Sequence, residues 1–481
     1  MKQWIEIIQR NLQMPALCRP RLFLCTFLAV LITALICSPV WPGFMSYDSL
    51  YAYKQSIYGV ESSWWPPMHD YFFFISRSLG LGVGGLFVFQ TFTLFFGAGL
   101  ILSTLIGRLG HFLTAFLTFV ILFYYFPTML GASLVIWKDV LMTSMGLLGV
   151  ALWLIAVRSS SRIALLSGIL SVSIAVSLRH NSLPLYLPCT MLMVIHPLGR
   201  ETRNRERIIA SIAVVTGLLG AYASTIWRLP DLKKLPSAMS DFSTIQMWDL
   251  IGISACADKN LLPPSFSVDG ALTGPEIRAI YDPRHINLTL EPPTGLKRLK
   301  LPATDTSAEL SAAWKASLRT NTRCYLWHRA SEFSEQMGLV KRGVFYPTHG
   351  GIDPNPYGLH LANPKAAAFI TRYVVYSADQ WWGRPFILYF LAGLIVIIAF
   401  LVRLPARVLL LMLLLGTAGY LASLFFLVPA ADARYIFPTN VCCALIIVLG
   451  VWDWTSKLKS LRPLGDGGNL VRAEAGPEEA K

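Results

Sequence analysis

Ten apolar runs, at residues 22–38, 86–106, 111–130, 140–157, 163–178, 183–195, 208–227, 385–402, 408–428 and 435–452, restrict this chain more than any other feature. A helix rises about 1.5 Å per residue, so about 20 apolar residues cross the hydrocarbon core of a bilayer. Only 14% of the residues are charged and 54% are hydrophobic, whereas soluble chains carry charge on roughly a quarter of their residues. The expected fold is an all-α polytopic membrane protein of about ten spans. The 183–195 run is short and holds Pro184 and Pro188, and the apolar stretch 71–79 suits an interfacial or re-entrant helix.

Basic residues orient the spans, because Lys and Arg collect in cytoplasmic loops. Arg10, Arg19 and Arg21 precede the first run. Arg108, then Arg158 and Arg162, then Arg200, Arg203, Arg205 and Arg207, then Arg403 and Arg407, and last Lys457, Lys459 and Arg462 fall in alternate loops. Both termini are therefore expected inside. The net charge of +14 is read as orientation rather than as nucleic-acid binding. The first run lacks a small-residue cleavage site and reads as a retained span. Four parts follow: a membrane module at 1–227, an extracytoplasmic domain at 228–384 where hydropathy collapses, closing spans at 385–456, and a polar tail at 457–481. Within the outer domain, 310–334 reads as one helix, and 262–270 and 349–358 read as loops.

The eight cysteines show no CxxC and no zinc spacing. Cys256 and Cys324 alone lie in the outer domain, where an oxidising compartment permits a disulfide between them. Two buried free thiols are the other reading.

Polar residues concentrate on the outer side. Asp48, His69-Asp70, Lys138-Asp139, Arg179-His180-Asn181 and Asp432 with Arg434 all flank outer span ends. Orientation does not require acids there, and charge near a span is costly, about 2.5–3.5 kcal/mol at a helix centre. A surface site would need such a set. Each member also has a plainer reading: snorkelling and a local ion pair for Lys138 and Asp139, an incidental pair for Arg179, a loop position for His69, and span ends for Asp432 and Arg434. Gly350-Gly351 before Asp353-Pro354 reads as a turn rather than a phosphate loop. The Asn287-Leu288-Thr289 sequon is expected by chance in a chain of this length.

The order SYDSLYAYKQSIYG, WWPPMHDY, IWKDVLMTSMGLL, SLRHNSLPLYLP and ARYIFP resembles the GT-C superfamily of membrane glycosyltransferases, such as protein O-mannosyltransferases and the lipid A aminoarabinose transferase. The likeness covers mainly residues 22–188 and the last spans. It implies a GT-C-like bundle with an inserted extracytoplasmic domain in a bacterial inner membrane. It also implies a polyprenyl-phosphate sugar donor, and a glycan, lipid or protein acceptor that the outer domain selects. Asp48 matches the general base of the first outer loop, although the usual paired acids are missing because Ser49 follows. Asp139 matches a second acid by place. Asp48 and Asp139 would share any divalent Mg or Mn, with Lys138 beside them departing from a plain metal site.

The residue types fit this chemistry independently. A phosphate leaving group needs cations, and Lys138, Arg179, His180 and Arg434 are candidates. An acceptor hydroxyl needs one base, which suffices for displacement with inversion. Tyr47, Trp65, His69 and Asp70 are candidate substrate contacts, with aromatic faces for a sugar ring. The rival reading, a transporter or flippase of lipid-linked saccharides, calls for charges at mid-membrane. A non-catalytic scaffold is a third. Reporter fusions after Arg207 and after Leu290 are expected to report opposite sides of the membrane, and same-side signals would overturn the topology.

Overall fold

The computed structural model describes residues 19–59, 66–179, 181–195, 217, 241–266, 272–299 and 306–461. Among these the chain is helical. No strand forms, and three isolated bridges join Phe44 to Val135, Met45 to Ile352 and His285 to Ala430. The basic run at 199–207, the 208–227 run and the tail from 462 lie outside the described residues, as do His180 and Trp65.

Among the described residues five helices are long and apolar enough to cross a membrane: Pro20–Val40, Gly82–Leu105, Lys138–Ser159, Arg407–Leu427 and Ala433–Leu458. Arg162–Ser177, Leu183–Val194 and Pro385–Leu401 are apolar but shorter. The third expected span does not run straight through 111–130. It divides into Leu109–Tyr125 and Pro127–Ser133, which meet at 87°. Pro127 explains the break, because a residue before proline is pushed out of the helical region, and Phe126 sits extended at ψ 103°.

The Lys138–Ser159 helix is, with Ala433–Leu458, the most buried of the five, with 78% of its apolar window buried against 33% for Arg407–Leu427. It packs on Gly82–Leu105 and Arg162–Ser177. Glycine allows the approach: a Cβ on Gly97 would come 2.9 Å from the Leu148 nitrogen, and one on Gly149 would come 2.9 Å from the Gly168 oxygen. Packing between small residues is how helices associate where lipid removes the hydrophobic drive.

A second core, built on Met247, Trp248, Ile251, Phe266, Ile277 and Leu310, sits between residues 241 and 310. The expected helix at 310–334 is two helices, Ser307–Thr320 and Thr322–Gln336, parted at Asn321, whose ψ of 36° breaks the helical path. Cys256 and Cys324 are joined, with Cα atoms 5.5 Å apart. The bond ties the Asp241–Ala257 helix to Thr322–Gln336 across 68 residues of chain. In the chain-entropy account a loop of that length contributes about 4 kcal/mol. Peptide mapping without reduction should recover the joined pair, and Cys324→Ser should make residues 241–336 more sensitive to protease. Two free thiols would remove the link.

Candidate functional site

The segment 43–46 anchors the site. Gly43 adopts φ +108°, and a Cβ there would meet Phe87 at 2.8 Å, so the chain turns where a side chain would not fit. Next, Phe44 donates to the Leu134 oxygen and its own oxygen accepts from Ile136. Met45 donates to the Gly351 oxygen at 2.9 Å, and its oxygen accepts from Asp353 at 3.0 Å. Trp137 Nε1 donates to Ser46 Oγ at 2.8 Å. Three distant segments thus meet at the start of the Tyr47–Tyr58 helix, with Asp48 in its first turn.

Around this start lies a cavity of about 380 Å³, lined by Tyr47, Asp48, His285, Tyr346, Asp353 and Arg434 among others. Arg434 Nη1 donates to Asp48 Oδ2 at 2.5 Å, and its Nε lies 3.2 Å from Asp432 Oδ2. Its guanidinium stands 5.1 Å over the Trp137 ring and 5.0 Å over Tyr435. Burial pushes the Asp48 carboxyl up, but Arg434 and Lys138 together hold it below the usual carboxylate range. Asp432 is more buried and is pushed up despite Arg434.

Behind this layer, Arg179 pairs with Asp139, donates from Nε to Asn181 at 2.9 Å, and lies 4.3 Å over the Tyr435 ring. Both guanidinium groups therefore lie against the Tyr435 ring. Lys138 lies close enough for its charge to act on Asp48, His69 and Asp70.

Of the residues singled out from sequence, Tyr47, Asp48 and Arg434 line the cavity, while Lys138, Asp139 and Arg179 form the layer behind. His69 and Asp70 are buried on the Met68–Ser78 helix and do not line it. Burial lowers the His69 pKa to about 3 and raises that of Asp70 to about 8. Among the described residues neither Asp70 oxygen has a hydrogen-bond partner.

The divalent-metal expectation does not fit. Asp48 and Asp139 face separate guanidinium groups, and among the described residues no cluster of three or more His, Cys, Asp or Glu could hold an ion. Sequence reading missed His285, Tyr346 and Asp353 as cavity residues. The last two flank the Gly350-Gly351 turn, whose polar density was the available signal; nothing local marked His285.

No family model matches this chain, and neither curated proteins nor solved structures give a match.

Asp139 and Arg179 are 1% and 11% exposed. Removing one partner of a buried pair costs about 3–5 kcal/mol, whereas replacing both with apolar groups is often neutral. Asp139→Asn should therefore lower the melting temperature in detergent, and Asp139→Leu with Arg179→Met should recover most of the loss. Wild-type melting in Asp139→Asn would show the pair to be energetically idle.

Proposed function

We propose that this chain is a membrane glycosyltransferase, moving a sugar from a polyprenyl-phosphate donor to a hydroxyl of a glycan, lipid or protein, with inversion. In this reading about ten spans form a GT-C-like bundle in a bacterial inner membrane, and the domain at 228–384 is extracytoplasmic. The observation that carries it is the Arg434 guanidinium on the wall of a cavity at the end of the apolar bundle, held between two carboxylates and two aromatic faces.

That arrangement suits a phosphate on a lipid tail. Arg offers a planar fork that matches phosphate oxygens in pairs. Without donor, Asp48 supplies the negative charge that a phosphate would bring. A phosphate entering the cavity takes the place of Asp48 on Arg434 and opens the carboxylate towards the acceptor. In that opened state Asp48 is placed to serve as the base expected from its position. The leaving phosphate carries away the electron pair of the broken C–O bond, and Arg434 stabilises it. Arg179 and Lys138 add positive potential from behind.

The rival transporter reading finds less support. In the described spans Asp, Glu, Lys and Arg stand near helix ends, as with Lys138, Asp139 and Arg158 of Lys138–Ser159 and with Asp453 and Lys457 near the end of Phe437–Leu461. A transport path calls for such groups at mid-membrane.

Binding of synthetic polyprenyl-phosphate sugars to purified protein tests the assignment. A hydrogen bond to a charged group contributes about 1.5–3 kcal/mol, so Arg434→Ala should weaken donor binding roughly 10- to 150-fold. Arg434→Lys keeps the charge but loses the fork and should restore only part. Unchanged donor affinity in Arg434→Ala would sink the phosphate cradle.

A further inference from the structure

Two residues of the cavity wall, Tyr346 and Asp353, are linked through His349 in a chain of three side chains. The Tyr346 hydroxyl lies 2.6 Å from His349 Nδ1, and His349 Nε2 lies 3.3 Å from Asp353 Oδ1. Tyr346 and Asp353 both line the cavity. One tautomer satisfies both contacts: Nε2 carries the proton and faces Asp353, and Nδ1 accepts from the phenol. A proton-bearing oxygen held by a base, itself oriented by a carboxylate, is the general signature of an activated acid–base group.

Three further observations set this chain apart from an ordinary loop contact. Tyr346 adopts φ +50°, in the left-handed region. A bulky residue rarely sits there, and such strain gathers at functional sites. The loop is also pinned on both sides of His349: Thr348 Oγ1 donates to the Gly131 oxygen at 2.8 Å, and Gly351 and Asp353 exchange backbone hydrogen bonds with Met45. Those last bonds fix the relay to the segment that carries Asp48. Finally, the protonation states suit transfer. Burial lowers the His349 pKa although Asp353 opposes it, so the imidazole is neutral and can accept. Burial raises that of Tyr346, so the phenol keeps its proton.

Asp48, by contrast, is engaged by Arg434 at 2.5 Å and comes free only as the donor phosphate displaces it, whereas the Tyr346, His349 and Asp353 contacts are already assembled. Of the other acids, Asp139 is committed to Arg179, Asp432 lines the cavity but faces Arg434 Nε at 3.2 Å, and Asp70 does not line the cavity.

We propose that Tyr346, acting with His349 and Asp353, is the group that deprotonates the acceptor hydroxyl. The proposal rests on the transferase reading and replaces Asp48 as base, leaving Asp48 the part of exchanging with the donor phosphate. The acceptor proton passes to the Tyr346 oxygen as the Tyr346 proton passes to His349 Nδ1. The acceptor oxygen forms its bond to the anomeric carbon, and the bond from that carbon to the phosphate oxygen breaks with its electron pair on phosphate. The new imidazolium faces Asp353. Tyr346 touches substrate, and His349 and Asp353 are positioning residues that act through it.

The experiment uses the purified full chain and synthetic polyprenyl-phosphate sugars, comparing wild type with Tyr346→Phe, His349→Gln, His349→Ala and Asp48→Asn. Turnover of Tyr346→Phe and His349→Gln should fall by about 10²–10⁴-fold with donor affinity unchanged. Added imidazole should revive His349→Ala, which a merely structural histidine would not allow. Asp48→Asn should lose less turnover than His349→Gln. Near-normal turnover in His349→Gln, no response to imidazole, or a larger loss in Asp48→Asn would each overturn the relay while the transferase reading stood. Wild-type protein that transfers from none of the donors would overturn both.

Discussion

The end of the bundle around the cavity depends on one buried guanidinium. Arg434 is 11% exposed, and a cation taken out of water must be compensated by opposite charge and by hydrogen bonds. Asp48 comes from the first turn of the Tyr47–Tyr58 helix, Asp432 from the turn before Phe437–Leu461, and Trp137 from the start of Lys138–Ser159. None of the acids could move far without leaving the charge unpaired. Mutual need therefore holds together three segments that are far apart in the chain, and the cavity forms where they meet.

The same turn is gripped from the other side. Arg329, fully buried on the Thr322–Gln336 helix, pairs with Asp249 at 2.7 Å and Glu332 at 3.0 Å, and donates to the Val428 oxygen at 2.7 Å. Ile286 donates to the Pro429 oxygen, Ala431 to the Arg284 oxygen, and Ala433 to the Phe345 oxygen. The backbone leading to Asp432 and Arg434 is thus set by residues 284–345 as much as by the spans. A change in residues 284–345 would reach the cavity through this turn.

Much of the helical framework was legible in the sequence, because hydropathy and helix length follow from local composition. The runs at 86–106, 140–157 and 408–428 emerge as helices with ends within a few residues. The break at Phe126 was less legible, since its cause, Pro127, lies within an otherwise unbroken apolar run. The division at Asn321 was missed for a similar reason: helical residues flank it on both sides. At the site, Asp48, Arg434, Asp139 and Arg179 stood out because charge beside a span is costly. Their pairing did not, and Tyr346, His349 and Asp353 read as an ordinary polar turn.

By itself the sequence determined that this chain is helical and holds several segments able to cross a membrane, because backbone groups in lipid must pair within their own helix. It also determined which polar residues needed an explanation. Only the tertiary structure decided which cation each acid faces, that Asp48 and Asp139 serve different guanidinium groups, and that Tyr346 and Asp353 from one loop line a cavity with Asp48 and Arg434. The reason is range. Hydropathy is summed over neighbours along the chain, whereas an ion pair such as Arg434 with Asp48 spans 386 residues and exists only once the intervening helices have packed.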